Sequence, residues 1–480
     1  MTIMTILTIA WITLPFFVGF ICYLFPKVDR YLALGVSLLS LGYGLQVFIG
    51  GEPLTLQLLD SFGVTLVVDD LSGFFVLTNA LVTAAVVLYC WQSGKTAFFY
   101  TQAIILHGSV NAVFVCQDFI SLYVALEVIG IAAFLLIAYP RSDRSIWVGL
   151  RYLFVSNVAM LFYLVGAALV YQSSHSFAFM GLREAPPEAI ALIFVGLLTK
   201  GGIFVSGLWL PLTHSEAETP VSALLSGVVI KAGVFPMVRC ALLLEEIDPI
   251  VRLFGVGTAL LGVVYAVFEK DTKRMLAFST VSQLGFVLSA PEVGGFYALT
   301  HGLVKAALFL TAGTLPSRDF KELNQKPIQT GFWVVLLLAS LSISGFPLLA
   351  GFGAKVLTMK NLLPWQAIAL NVAAFGTATA FAKLIFLPHQ PSSDGKAKPG
   401  YWAAVILLLA GLAIANVGYL EAYSLANLVK PLVTVVLGWL AYLFVVRRVV
   451  LKLPRVLEQF EHLIGLMTLM LMGLSWLVLA

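Results

Sequence analysis

The stretch Lys200–Lys231 reads KGGIFVSGLWLPLTHSEAETPVSALLSGVVIK, and its reading decides the fold. One lysine closes an apolar run and a second closes the next. Between them lies a polar break holding Trp209, Pro211, His214, Glu216, Glu218 and Pro220. A charged side chain at a bilayer centre costs roughly 2.5–3.5 kcal/mol on insertion scales. Two lysines flanking a broken helix therefore need a reason. Proton handling supplies one, because a lysine in a low-dielectric site exchanges its proton whereas arginine does not.

The surrounding composition fits that reading. Sixty per cent of the residues are apolar and 11% are charged, against about 25% charged in soluble domains. Mean hydropathy is +0.99. The chain is an all-α polytopic membrane protein by this measure, with runs of about 20 apolar residues as spans. The N-terminal MTIMTILTIAWITLPFFVGFICYLF lacks a basic leader and reads as a first span, not a cleaved signal. Cys22, Cys90, Cys116 and Cys240 lie in or beside apolar segments without CxxC or His pairing, so no metal site is expected. The net charge of +4 is spread over loops and points to topology rather than to nucleic acid.

About sixteen spans are predicted, with cores near 3–24, 30–49, 70–91, 98–115, 119–138, 148–171, 188–208, 219–239, 253–268, 274–290, 295–315, 331–359, 364–387, 401–419, 426–446 and 460–479. The alternating VTLVV in the gap 49–70 predicts a small external hairpin. Loop charges alternate in sign. One side holds Lys27, Arg30, Arg141, Arg144, Lys270, Arg318, Lys321, Lys396, Lys398, Arg447, Arg448, Lys452 and Arg455. The other holds Glu52, Asp60, Asp118, Glu184, Glu245, Glu246, Glu292 and Glu421. The positive-inside rule then places both termini outside. Asp271, Lys273 and Arg274 read as part of an inner loop.

A second break appears in LLLASLSISGFPLLAGFGAKVLTM, where Gly345, Pro347, Gly351 and Gly353 precede Lys355. Two Gly/Pro-interrupted spans in corresponding places point to inverted repeats with ion sites at the breaks. Such backbone survives in a membrane only where protein or water covers it. Glu127 lies mid-span in DFISLYVALEVIGIAAFLLIAY, and intramembrane acids mark ion paths more often than structural contacts. His301 and Lys305 are i, i+4 in ALTHGLVKAALFLTAG and share a helix face. The expected proton-translocation residues are Glu127, Lys200, Lys231, His301, Lys305 and Lys355, with His214, Ser279, Ser282 and Gln283 in secondary, water-network roles. The competing reading for each lysine is snorkelling to an interface. No Walker, GxGxxG or HExxH motif is present, so no cofactor is expected and no redox site in this chain.

These residues carry a resemblance. The stretches DFISLYVALEVIG, TKGGIFVSGLWLPLTHSEAETPVSALLSGVVIKAG, EKDTKRMLAFSTVSQLGFV, THGLVKAALFLTAG and SGFPLLAGFGAKVL resemble the antiporter-like subunits shared by Mrp cation/proton antiporters and complex I, with the Mrp D-type subunit nearest in pattern. The resemblance implies a core of about fourteen helices with two inverted five-helix repeats, each containing a broken helix, and leaves two C-terminal spans extra. It divides the chain into 1–97, 98–240, 250–390 and 399–480. It implies that Glu127 pairs with Lys200, and that Lys231, His301, Lys305 and Lys355 complete the path. It also implies partner membrane subunits, with protons and Na+ as the moving ions. The sequence departs from the family at WLPLTHSEAETPVS, where Leu212 stands in place of an aspartate. No long lateral amphipathic helix follows the last spans. Three further readings stand beside that of an antiporter component: a complex I-like proton pump, an inorganic-carbon uptake subunit, and a non-conducting scaffold. The expected membrane is a bacterial inner membrane or a thylakoid.

Overall fold

The computed structural model describes residues 3–391, 397–449, 451 and 453–479. Lys396 and Lys452, two of the basic loop residues, lie outside the described residues. Among the described residues, twelve helices are long and apolar enough to cross a membrane. Thr330–Ser344 and Tyr401–Val417 are shorter apolar helices. The remaining two expected spans, near 98–115 and 274–290, are the helices Ala97–Val113 and Thr272–Ser289. Each expected span thus has a helical counterpart, and the chain is an integral, multi-pass membrane protein.

The gap after the second helix holds the expected hairpin. Leu54–Gln57 pairs antiparallel with Thr65–Val68, in the register Leu54↔Val68. Its end is tied to the next helices by Asp118, whose carboxylate accepts from the Thr65 and Ser121 backbone amides at 2.8 and 2.7 Å. Asp118 also caps the helix Phe119–Ile137, which satisfies one of its free N–H groups.

The core lies where helices are buried on every face. Every residue of Gly294–Ala312 and of Thr272–Ser289 is buried. The two breaks fall in the seventh and twelfth spans. After Lys200 the helix Pro187–Lys200 gives way to a turn with Gly202 at φ +62 and then to the short helix Leu210–Glu216. Within this break the Trp209 indole donates to the Thr199 carbonyl at 3.0 Å, and the Phe204 amide donates to Thr258 Oγ1 at 3.0 Å. After Ser344, Gly345 takes φ +80 and the chain resumes as Ala350–Lys360. The first interruption is mostly buried in protein, as unpaired backbone in a membrane requires; in the second Gly345 and Pro347 are buried but Leu348 is 75% exposed.

The two extra C-terminal helices embrace the core from both sides. Leu425–Phe444 packs along Pro364–Ile385, and Phe460–Leu479 packs against Pro187–Lys200. The last helix does so through Leu463, Met467, Met470 and Leu474, spaced four, three and four residues apart. The segment between them carries two short 3₁₀ turns among its described residues, not a long helix.

That segment corrects one expectation. Lys273 and Arg274 are not in a loop. They form the buried first turn of Thr272–Ser289, capped by Asp271. Arg274 bridges Glu269 at 3.0 Å and Glu458 at 2.6 Å, and Arg455 reaches Glu269 at 3.1 Å. Arg151 donates to the Glu458 backbone carbonyl. Burial opposes the charge on Glu269, but Arg274 and Arg455 hold its carboxyl below the usual glutamate range.

Candidate functional site

The six ionisable groups expected from the sequence all lie inside the helix bundle, at or near the two breaks. Lys200 is the last residue of its helix. Its Nζ donates to Ser156 Oγ at 2.5 Å. The room for its head group comes from Gly130, where an added Cβ would stand 3.1 Å from the Nζ. Glu127 lies one turn before Gly130 on the same helix. Its Oε1 is buried without a hydrogen-bond partner, and no direct ion pair joins it to Lys200. The implied Glu127–Lys200 pair is therefore a separated one. Gly130 and Ser156 flank the Lys200 head group.

Lys231 is fully buried. The residues before it, Leu225–Val229, form a π-helical turn in which the Ile230 amide reaches back five residues to Leu225. Such a bulge frees carbonyls from the ordinary ladder, and it is frequent at functional sites. Lys231 Nζ takes up two of them, Gly227 O at 2.6 Å and Ser226 O at 3.2 Å. Across this turn lies Gly302, whose added Cβ would be 3.3 Å from the Nζ. Lys231 thus borders the helix of His301 and Lys305.

His301 and Lys305 share that helix face but point to different neighbours. Lys305 Nζ donates to the Leu276 carbonyl at 3.0 Å and stands 5.2 Å from the Phe381 ring centre. Both ring nitrogens of His301 are buried without a partner. His301 lines a cavity of about 10 Å³ with Gln283, Tyr297, Thr300, Gly351 and Ala354. That is the scale of a single water-sized group. Ala354 precedes Lys355, so the cavity separates the histidine from the second break. Lys355 Nζ is buried and unpartnered, 5.3 Å from the Phe286 ring centre.

The secondary residues divide. Gln283 accepts from the Tyr297 hydroxyl at 2.6 Å and donates to Thr377 Oγ1 at 3.2 Å, which places it on the His301 cavity. Ser279 Oγ is buried and unpartnered. Ser282 donates to the Ala259 carbonyl at 2.9 Å, a helix-packing bond. His214 stacks on Phe309 with ring centres 4.8 Å apart, and both its nitrogens are buried without a partner. No two of the six principal groups are hydrogen-bonded to each other among the described residues, so transfer between them needs bridging water or side-chain motion.

Several participants gave no signal in the sequence. Ser156 and Gly130 are single small residues in apolar helices. Thr280 holds Ser226 beside Lys231 at 2.7 Å. Lys383 is buried too, but it donates to Ala266 O at 2.9 Å and Glu269 O at 2.8 Å. It caps the end of the helix Asp248–Phe268, a structural use of a cation. No group of three metal-ligating side chains occurs among the described residues.

Residues 116–381, which hold all six principal groups, match the family model described as NADH:quinone oxidoreductase/Mrp antiporter, TM. The chain belongs to the NADH:quinone oxidoreductase/Mrp antiporter family. This family member is 27% identical over 423 residues to the D-type component of the Na+/H+ antiporter of Alkalihalophilus pseudofirmus, covering 79% of this chain and 85% of that one. It is 29% identical over 382 residues to the N-type component of the NADH-quinone oxidoreductase of Desulforudis audaxviator, covering 70% and 75%. It is 30% identical over 395 residues to a chain 4 of the NAD(P)H-quinone oxidoreductase of Microcystis aeruginosa, covering 72% and 70%. Among solved structures its fold is similar to a chain of the Mrp complex from Dietzia sp., with TM-score 0.75 at 19% identity, covering 97% of this chain and 100% of that one. It is equally similar to a chain of the archaeal membrane-bound sulfane sulfur reductase, with TM-score 0.76 at 20% identity, covering 91% and 99%. It is an antiporter-like membrane subunit of the kind found in Mrp and complex I-like assemblies.

Proposed function

We propose that the chain is the proton-translocating membrane subunit of a multisubunit cation/proton antiporter. The observation that carries this reading is the row of buried ionisable groups laid between two broken helices. A non-conducting scaffold has no reason to bear their cost. Protons enter near Glu127 and Lys200, within residues 98–240. They pass Lys231 and reach His301 and Lys305, then leave by Lys355, within residues 250–390. Each lysine is held by neutral oxygens or by none, so no contact carboxylate fixes its charge. Protonating one group alters its neighbours, and the row titrates as a linked set. Partner membrane subunits supply the coupled ion, Na+ in the first instance, and both termini face outward across a bacterial inner membrane or a thylakoid.

A complex I-like proton pump is the second reading. It draws support from the relatives in quinone oxidoreductases, whose identities match that of the antiporter relative. The two readings part in inverted vesicles carrying the native assembly. Sodium-triggered collapse of a pH gradient supports the antiporter. No sodium response with redox-dependent acidification overturns it in favour of the pump.

A further inference from the structure

Beside Lys355, at the exit end of the proposed proton path, lies a cavity of about 230 Å³. Its floor is Lys355 and Ser344, whose Nζ and Oγ are both buried without a hydrogen-bond partner. Its walls carry Lys360 at the end of the Lys355 helix, and Asn427, Lys430 and Thr434 from the extra helix Leu425–Phe444; Lys360 and Lys430 are exposed, so they form its open rim. Three ammonium groups line one space, and no carboxylate lines it. None of the three forms an ion pair among the described residues. Elsewhere in the molecule cations are partnered, by an acid as in Lys95–Glu218 at 2.5 Å and Arg252–Asp248 at 2.7 Å, or by a neutral oxygen as in Lys200, Lys231, Lys305 and Lys383. Three like charges without a counter-charge repel one another unless an anion joins them. The Thr434 hydroxyl and the Asn427 amide donate to the Lys430 and Ala422 carbonyls at 2.9 Å, whereas the Ser344 hydroxyl is free to donate to an oxyanion.

We propose that this cavity binds an anion of the phosphate class, held by Lys355, Lys360 and Lys430, with the unpartnered Ser344 hydroxyl as a neutral donor. The extra helix is then a wall of the site, which gives a fifteenth span its purpose. That helix turns Leu425, Val429, Val433 and Leu437 outward. The site therefore opens beside a lipid-facing surface, and the same chemistry admits a lipid headgroup or a free oxyanion. Lys355 belongs to both readings, so the test varies Lys360 and Lys430, which the proton path does not use, and takes no transport measurement.

The test is protection of a cysteine in the full chain, within its native assembly. The natural cysteines Cys22, Cys90, Cys116 and Cys240 are all buried, so Asn427→Cys offers a selective label for an uncharged maleimide. In phosphatidylcholine vesicles inorganic phosphate is titrated, and in a second arm phosphatidylglycerol is added to the vesicles instead. Labelling slows by about tenfold when the anion exceeds its dissociation constant about tenfold. Protection by phosphate identifies a free oxyanion, and protection by phosphatidylglycerol alone identifies a headgroup. The Lys360→Gln/Lys430→Gln pair loses the protection, each rate being taken relative to that variant's own anion-free rate. Lys430→Arg, which keeps the charge, retains it. No protection in either arm, or protection that survives the double variant, overturns the proposal.

Discussion

Gly130 faces the Nζ of Lys200 across a gap that an added Cβ would narrow to 3.1 Å. The same helix carries Glu127 one turn earlier, so this glycine sets the distance between the acid and the lysine. Gly130→Ala pushes the lysine head away from Ser156, and Gly130→Val pushes it further. Misplacement of a reacting group by about 1 Å costs about a hundredfold in rate. Proton flux therefore falls in the order Gly, Ala, Val while the amount of assembled complex stays unchanged. Flux assays on quantified vesicles check the order.

Ser156 is the single hydrogen-bond partner that Lys200 has among the described residues. A hydrogen bond to a charged group contributes about 1.5–3 kcal/mol. Ser156→Ala slows proton flux by roughly ten- to hundredfold, on the order that this energy implies, and Ser156→Thr largely preserves it. Parallel flux measurements on the two variants decide the point, since a purely steric role would spare alanine.

Lys231 occupies carbonyls freed by the π-helical turn. Arginine keeps the charge and the donors but does not release a proton. Lys231→Arg therefore inserts and assembles yet conducts no protons. A conducting arginine variant would show that charge alone is needed there.

The Glu458–Arg274–Glu269 cluster straps the last helix over the Lys200 break. Removing one partner of a buried pair costs about 3–5 kcal/mol, so Glu458→Ala loosens residues 453–459 and exposes them to protease. Acid acts in the same direction. The Glu269 carboxyl is held below its ordinary value of 4.5, so its contribution is complete above that pH. The contribution fades as pH falls below 4.5 towards the lowered folded value. Proteolysis of the segment rises through that acid window, and Glu269→Gln removes the pH dependence.

The spans and both breaks were legible because an apolar run interrupted by Gly, Pro and a lysine has few other readings. The six ionisable groups stood out for the same reason. Their partners did not. Ser156 and Gly130 match what any apolar helix contains, and the π-helical turn before Lys231 leaves no mark in LLSGVV. The misplacement of Lys273 and Arg274 has a long-range cause. Arg274 is buried because Glu458, 184 residues later, comes back to meet it. Charge at a helix end reads as a loop signal until such a partner is known.

The most direct test of the proton path is proton flux in inverted vesicles holding the native assembly, with and without Lys200→Ala, at matched levels of the chain. The path predicts that flux is lost in the variant under the same driving force. Unchanged flux in Lys200→Ala would contradict it.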